Sequence, residues 1–150
     1  MSRRSRYQPQ IDAALAAAPG PLSAAELHAV LTDPGADSHL DDGRAVESTD
    51  KAGGAVGAAG VGIATVYRVL AEGADTGRYA VVQIPGGPAR YEPADRPHHH
   101  HFECVACERV YDVAGCPGGM QRLVPERFTL ESHDVLLRGR CARCGEGSAS

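Results

Sequence analysis

Apolar residues recur at helical spacing in three stretches of the N-terminal half of the chain. In IDAALAAAPGPLSAAELHAVL, two such runs flank the helix-breaking stretch Pro19-Gly20-Pro21. Ser23 and Glu26 have the spacing of a capping box ahead of the second run. GIATVYRVLAEG carries an apolar stripe, and Gly73 is expected to end that helix; the stripe comprises Ile63, Val66, Tyr67, Leu70 and Ala71. The pattern predicts three helices.

A change of period follows in GRYAVVQIPGGPARYE, where two β-branched and aromatic runs surround a Pro-Gly-Gly-Pro turn, which predicts a hairpin. Helices followed by a hairpin are the order of a winged helix-turn-helix domain, whose recognition helix would be residues 63–72. A generic helical domain with a hairpin fits the same pattern.

Short alternating runs dominate the C-terminal part. HHFEC and RVYDV predict two strands around a Cys-x-x-Cys turn, MQRLVPERF predicts a short helix bounded by Pro125, and FTLESHDVLLRGRC predicts one or two further strands. Residues 33–60 are rich in Gly, Ala and Asp, and we expect a flexible insertion there. The fold class expected is α+β, with domains at 1–94 and 95–150.

Composition narrows the protein class. The chain has no Trp and only two Phe, so two small units with thin cores are expected. No apolar run approaches the roughly 18 residues that span a membrane, and no apolar segment of a signal peptide follows MSRRSRYQPQ. We therefore expect a cytoplasmic location with no membrane partner, where cysteines serve as metal ligands or free thiols. The net charge of −4 equals that of residues 33–60, so it does not exclude a local DNA-binding face.

Two Cys-x-x-Cys pairs are the strongest chemical signal, namely Cys104, Cys107, Cys141 and Cys144. Four thiolates satisfy tetrahedral zinc without an open position, so this Cys₄ site is expected to be structural. Two accidental pairs or a redox dithiol are the alternatives.

The run HHHH at 98–101 predicts two further metal sites. Alternate side chains of an extended segment point to opposite faces, so His98 and His100 would serve one site and His99 and His101 the other. Partner ligands are available in Glu92, Asp112 and His133. A solvated His-rich loop is the alternative. If Glu92 and the histidines lie on either side of a hinge, an exchangeable ion would fix the angle between the domains.

The sequence resembles the ferric uptake regulator family of metal-dependent transcriptional repressors. The resemblance rests on LSAAELHAVL, GIATVYRVL, ARYE, HHHHFECVAC, VYD, SHDVLLRGRC and CARC, in family order across nearly the whole chain. It implies a winged-helix domain followed by a small α/β dimerisation domain, and a homodimer that binds palindromic double-stranded DNA operators to repress metal-uptake genes. It does not imply an enzyme.

The resemblance also assigns residues. It implies structural Zn²⁺ at the Cys₄ site, a regulatory interdomain site at Glu92, His99, His101 and Asp112, and a second site at His98, His100 and His133. Thr65, Tyr67 and Arg68 match the DNA-contacting helix. Cys116 could stand in for the missing fourth ligand of the second site, which family members place about where Gly119 stands, or remain a free thiol.

The candidate ligands give opposing indications of which metal is sensed. The uninterrupted histidine run resembles zinc-sensing members, whereas Glu92 is commoner in those that sense Fe²⁺ or Mn²⁺. We favour zinc. Pro21 stands where many members have a further histidine ligand.

Two other functions are considered. His101-Phe102-Glu103 followed by Cys141-x-x-Cys144 imitates a zinc nucleoside deaminase motif, although Arg140 replaces its proline. A metal storage module would explain the histidines but leaves GIATVYRVL unexplained.

Overall fold

The protein is represented by a computed structural model that describes residues 5–33 and 60–145. The insertion expected at 33–60 therefore lies outside the described residues from 34 to 59. The chain divides into two compact units, the first comprising Met1–Ala18 and Leu22–Ala94 and the second Pro19–Pro21 and Asp95–Ser150.

The described part of the first unit contains three helices and a small sheet. In chain order, its elements are α1 (Gln8–Ala17), β1 (Leu22–Ser23), α2 (Ala24–Thr32), α3 (Ile63–Asp75), β2 (Tyr79–Gln83) and β3 (Ala89–Pro93). The antiparallel sheet has the order β1-β3-β2. The predicted capping box forms: Ser23 accepts from Glu26 N, and the Glu26 carboxylate accepts from Ser23 N. Strand β1 was not predicted, because a two-residue strand has no period of its own.

The core of this unit is apolar and lies between the helices. It comprises Ile11, Leu15, Ala24, Leu27, Val61, Val66, Val69, Leu70 and Tyr79. Two expectations for α3 are wrong. The helix continues past Gly73 to Asp75. Gly73 is instead a packing position, where a β-carbon would collide with the Tyr79 ring. Of the expected apolar stripe, Val66 and Leu70 are buried, whereas Ile63, Tyr67 and Ala71 are exposed. Val69, which lay outside the expected stripe, is buried with the first two.

In its described residues, the second unit consists of a three-stranded sheet with short helical turns. Its elements are β4 (His100–Cys104), β5 (Val110–Val113), a 3-10 helix (Met120–Leu123), β6 (Leu136–Gly139) and α4 (Ala142–Gly145). The strand order is β5-β4-β6, with β4 antiparallel to β5 and parallel to β6. The expected strand from Phe128 forms only at β6, and the expected helix is a single 3-10 turn, with Pro125 following it.

Few of the described side chains of this unit are buried. They are the apolar Pro21, Cys104 and Val110 and the polar His100. No described helix has the length and apolar character needed to cross a membrane.

Candidate metal centres and nucleic-acid interface

The four paired cysteines converge in the second unit. Cys104 ends β4, Cys107 lies in the turn after it, Cys141 precedes α4 and Cys144 lies within it. Their sulfur atoms lie within 4.8 Å of one another, and Cys107 Sγ is 3.9 Å from Cys141 Sγ. Zinc–sulfur bonds of about 2.3 Å in a tetrahedron give sulfur–sulfur edges of about 3.8 Å. The cluster therefore has the ligand type and spacing of a closed zinc site.

The ionisation of these thiols also favours a bound cation. The backbone N–H of Cys141 donates to Cys104 Sγ at 3.3 Å and lowers the pKa of Cys104 to about 6. A hydrogen bond with Cys141, followed by burial, raises the pKa of Cys144 to about 12. Cys104 thus ionises readily, whereas the hydrogen bond with Cys141 and burial favour the neutral thiol of Cys144. A bound divalent ion favours the thiolate form of its cysteine ligands.

The histidine run separates into two pairs, although only His100 and His101 belong to β4. The rings of His98 and His100 lie 4.7 Å apart, and those of His99 and His101 lie 4.8 Å apart. The separation predicted from an extended backbone is present, even though His98 and His99 precede the strand.

The His99–His101 pair lies beside a carboxylate from β5. Asp112 is the antiparallel partner of His101, so the two side chains project from the same face of the sheet. His99 Nε2 lies 3.2 Å from His101 Nε2, and Asp112 Oδ1 lies 3.6 Å and 3.8 Å from those two nitrogens. Arg96 forms an ion pair with Oδ2 of the same carboxylate. Metal–nitrogen bonds of about 2.0–2.1 Å require donor separations near 3.3 Å, so these three residues fit one ion.

Glu92 lies on β3 of the first unit, where it is buried. It is cross-strand partner to Ala80 on β2.

The His98–His100 pair lies near two further donors. These are His133, from the segment before β6, and Cys116, from the loop after β5. The His98 and His133 rings are 4.8 Å apart, and Cys116 Sγ lies 2.9 Å from His133 Nε2. One donor atom from each of His98, His100, Cys116 and His133 lies within 4.8 Å of the others.

His100 is the most informative member of this group. Only 2% of the residue is exposed, and neither ring nitrogen has a hydrogen-bond partner. Burial, followed by the neighbouring His98 and His133, lowers the pKa of His100, which keeps its imidazole neutral and able to coordinate a metal at neutral pH. A buried imidazole without a partner costs roughly 1–3 kcal/mol, a cost that metal coordination removes.

The candidate DNA-contacting residues lie along α3. The face of Val66, Val69 and Leu70 is buried. Tyr67 is 56% exposed, Thr65 is half-buried, and Arg68 forms an exposed ion pair with Glu72 at 3.4 Å. The helix therefore presents an aromatic ring and a guanidinium to solvent.

The deaminase interpretation fails on geometry. Cys141 and Cys144 complete the Cys₄ cluster, whereas His101 belongs to the cluster with Asp112. Glu103, the glutamate of that motif, instead forms an ion pair with Arg138 at 2.9 Å.

A winged-helix unit joined to a unit bearing three His- and Cys-based ligand clusters defines a candidate metal-binding regulator of the winged-helix class. The family model described as "Ferric uptake regulator family" matches residues 56–146, more than half of the sequence, so the chain belongs to that family. Membership of a regulator family is consistent with a non-enzymatic role.

Sequence relatives and a solved structure with a similar fold belong to the same family. The chain is 33% identical over 90 residues to the ferric uptake regulation protein of Bordetella parapertussis, which covers 58% of this chain and 65% of the relative. It is 34% identical over 87 residues to that of Legionella pneumophila, covering 56% and 64%. The chain thus spans less than two thirds of these relatives. The Helicobacter pylori ferric uptake regulator Fur has the same α+β fold, with a TM-score of 0.63 at 21% identity over 99% of this chain and 85% of that one.

Proposed function

We propose that this chain is a metal-responsive transcriptional regulator that binds palindromic double-stranded DNA as a homodimer and represses metal-uptake genes. The observation that carries the proposal is the difference in ligand chemistry among the three clusters: one is a closed set of thiols, and two are built on histidines. A closed Cys₄ site suits a structural ion, whereas His and carboxylate sites exchange metal and can respond to its concentration. The Helicobacter pylori protein is described as having three functional metal-binding sites.

Helix α3 supports the DNA-binding part of the proposal. A recognition helix needs one face packed on its domain and another free to enter the major groove, and α3 has both. Tyr67 and Thr65 are proposed to contact base edges, and Arg68 a phosphate, which fixes register rather than sequence preference. The ion pair of Arg68 with Glu72 is exposed and weak, so it can be exchanged for a phosphate.

The regulatory centre is proposed to consist of Glu92, His99, His101 and Asp112. Arg96 holds one oxygen of Asp112 and leaves the other facing the two imidazoles, so these donors are already oriented. A divalent ion held by donors of both units supplies linkage free energy that favours the arrangement with those donors close together. That arrangement is the proposed DNA-binding state.

Exposed apolar residues of the second unit support a homodimer. Leu123 and Phe128 are 78% and 64% exposed, and Leu137 lies exposed on β6. Among the described strands β6 pairs only with β4, so its other edge is available to a second copy. Large apolar side chains beside a sheet edge are typical of an association surface.

Zinc is the regulatory metal we favour, because each exchangeable cluster contains at least two imidazoles, which suit this ion. Iron is the second candidate. It is favoured by the carboxylate of Asp112 and by the name of the curated relatives, ferric uptake regulation protein. Manganese shares the same oxygen preference.

The decisive experiment is fluorescence anisotropy with a labelled palindromic duplex, titrated in parallel with Zn²⁺, Mn²⁺ and Fe²⁺ at buffered free concentrations. The wild-type chain should bind the duplex only when metal is present, with zinc acting at the lowest free concentration. His99→Ala/His101→Ala should lose this metal dependence while its circular dichroism and dimer mass stay unchanged, because the Cys₄ site is intact.

Two variants serve as controls. His28→Gln removes an imidazole outside the clusters, whose Nε2 donates to Val61 O at 3.0 Å, and should retain the metal response. Arg68→Ala should weaken DNA binding at every metal concentration. It should also reduce the slope of log binding constant against log salt concentration by about 1, because one phosphate contact is lost. Metal-responsive binding retained by the double histidine variant would refute the proposed regulatory centre.

A further inference from the structure

We propose that Cys116 is the fourth ligand of the second centre, which makes that centre a His₃Cys site for Zn²⁺ rather than an incomplete three-histidine site. This inference deepens the proposed function, since it takes the second metal centre from it. It adds the identity of a ligand and the class of metal that this ligand selects.

The position of Cys116 is built by the loop after β5. Gly115 has a φ of +90°, a left-handed conformation that glycine adopts without strain, and the chain turns there. Cys116 Sγ comes within 2.9 Å of His133 Nε2. A tetrahedral zinc with Zn–S of about 2.3 Å and Zn–N of about 2.0–2.1 Å has sulfur–nitrogen edges of about 3.5 Å. Small side-chain adjustments therefore place both atoms on one ion.

His100 gives an independent reason to place a ligand here. Its ring is almost completely buried, and both nitrogens lack hydrogen-bond partners. One of those nitrogens lies in the same donor group as Cys116 Sγ, within 4.8 Å. A hydrogen bond between a free thiol and His133 accounts for Cys116 alone and leaves His100 unsatisfied. A metal ion accounts for both.

The backbone at Gly119, about where family members place the fourth ligand of this site, also bears on the assignment. Gly119 has a φ of +85°, which strains any residue with a β-carbon. The backbone therefore disfavours a carboxylate ligand at 119. Cys116, three residues earlier, supplies a donor where the loop can reach the histidines.

A thiolate changes which metal the centre prefers. Thiolate and imidazole ligands suit Zn²⁺, whereas Mn²⁺ prefers oxygen donors. Coordination requires the thiolate form, so metal binding releases the Cys116 proton to solvent. Replacing this sulfur should therefore weaken zinc much more than manganese.

Cobalt(II) substitution tests the ligand directly. The background is the full chain with His99→Ala/His101→Ala, loaded with one zinc per chain at the Cys₄ site as verified by metal analysis. Co²⁺ added to this protein should produce tetrahedral ligand-field bands and a near-ultraviolet sulfur-to-cobalt charge-transfer band. Cys116→Ser should abolish the charge-transfer band, and Cys116→His should abolish it while keeping tetrahedral cobalt. Ser132→Ala, an exposed neighbour of His133, is the matched control and should behave as the background.

Competition titrations measure the selectivity. Cys116→Ser should weaken Zn²⁺ binding at the second centre by at least about 10- to 100-fold, since even residues that only support a ligand cost that much. Mn²⁺ binding should change by less than about threefold, because the sulfur contributes little to a hard ion.

Thiol alkylation of the unmutated chain provides a test that does not depend on a variant folding. Mass spectrometry after iodoacetamide treatment should show Cys116 protected when Zn²⁺ fills the second centre and alkylated when only the Cys₄ site is filled. Equal alkylation under both conditions, or a charge-transfer band that survives Cys116→Ser, overturns the proposal. These readouts measure metal ligation alone, so they can succeed when metal-dependent DNA binding fails, and the reverse.

Discussion

Different interactions stabilise the folds of the two units of this protein. The first buries a continuous apolar cluster that includes Ile11, Leu27, Val66 and Leu70. In the second, the described buried side chains are few, and one of them is an imidazole without hydrogen-bond partners. Apolar burial stabilises at every metal concentration, whereas a metal centre stabilises only when its ion is bound. We therefore expect the fold of the first unit to be independent of metal and the fold of the second to depend on it.

The largest effect should come from Cys104→Ser. This thiol is fully buried and accepts a hydrogen bond from Cys141 N, so its loss removes a ligand and disturbs the turn that carries two others. Structural zinc contributes about 10–16 kcal/mol of apparent free energy in small zinc domains. We expect the second unit to unfold or the dimer to dissociate, while the first unit keeps its helices.

Amide hydrogen exchange resolved by residue is the measurement. Protection should disappear in β4, β5 and β6 and persist in α1, α2 and α3. Loss of protection throughout the chain would show that the first unit does not fold without the second.

Leu27→Ala should have the next largest effect. Leu27 is fully buried in the core of the first unit, and such truncations cost about 2–5 kcal/mol. Urea unfolding monitored by the helical signal should report this loss, and the zinc content should remain at its wild-type value. Ala25→Gly, at an exposed position of α2, provides a control limited to helix propensity, at about 1 kcal/mol. Loss of zinc from Leu27→Ala would contradict the separation of the two units.

Gly73→Ala should have a smaller effect that sharpens the same comparison. The added methyl group would meet the Tyr79 ring, which cannot swing away because its hydroxyl donates to Asp12 at 2.6 Å. Overpacking of this kind costs about 1–3 kcal/mol. The double variant Gly73→Ala/Tyr79→Leu should recover part of the loss in urea unfolding. An unchanged midpoint in the single variant would show that the ring and helix move apart freely.

Much of the first unit followed from local sequence. The breaks at Pro19-Gly20-Pro21, the capping box at Ser23 and the hairpin turn all depend on residues within four or five positions, so the sequence predicted the elements they bound. The end of α3 could not be predicted in this way. Gly73 is typical of a helix end, but its role is to make room for Tyr79 across the fold.

The candidate metal sites were likewise predictable from the sequence only in part. Ligand types and the alternation of the histidines are properties of the chain itself, because side chains of an extended backbone point alternately to opposite faces. The further ligand that joins each histidine pair depends on strand register and on loops that connect distant parts of the sequence. The β4–β5 register places Asp112 opposite His101, and the loop after β5 places Cys116 beside His133. The sequence alone therefore determined the helices, the turns and the donor chemistry. Only the tertiary structure decided which donors meet, because strand pairing and loop closure bring together residues whose sequence separation carries no local signal.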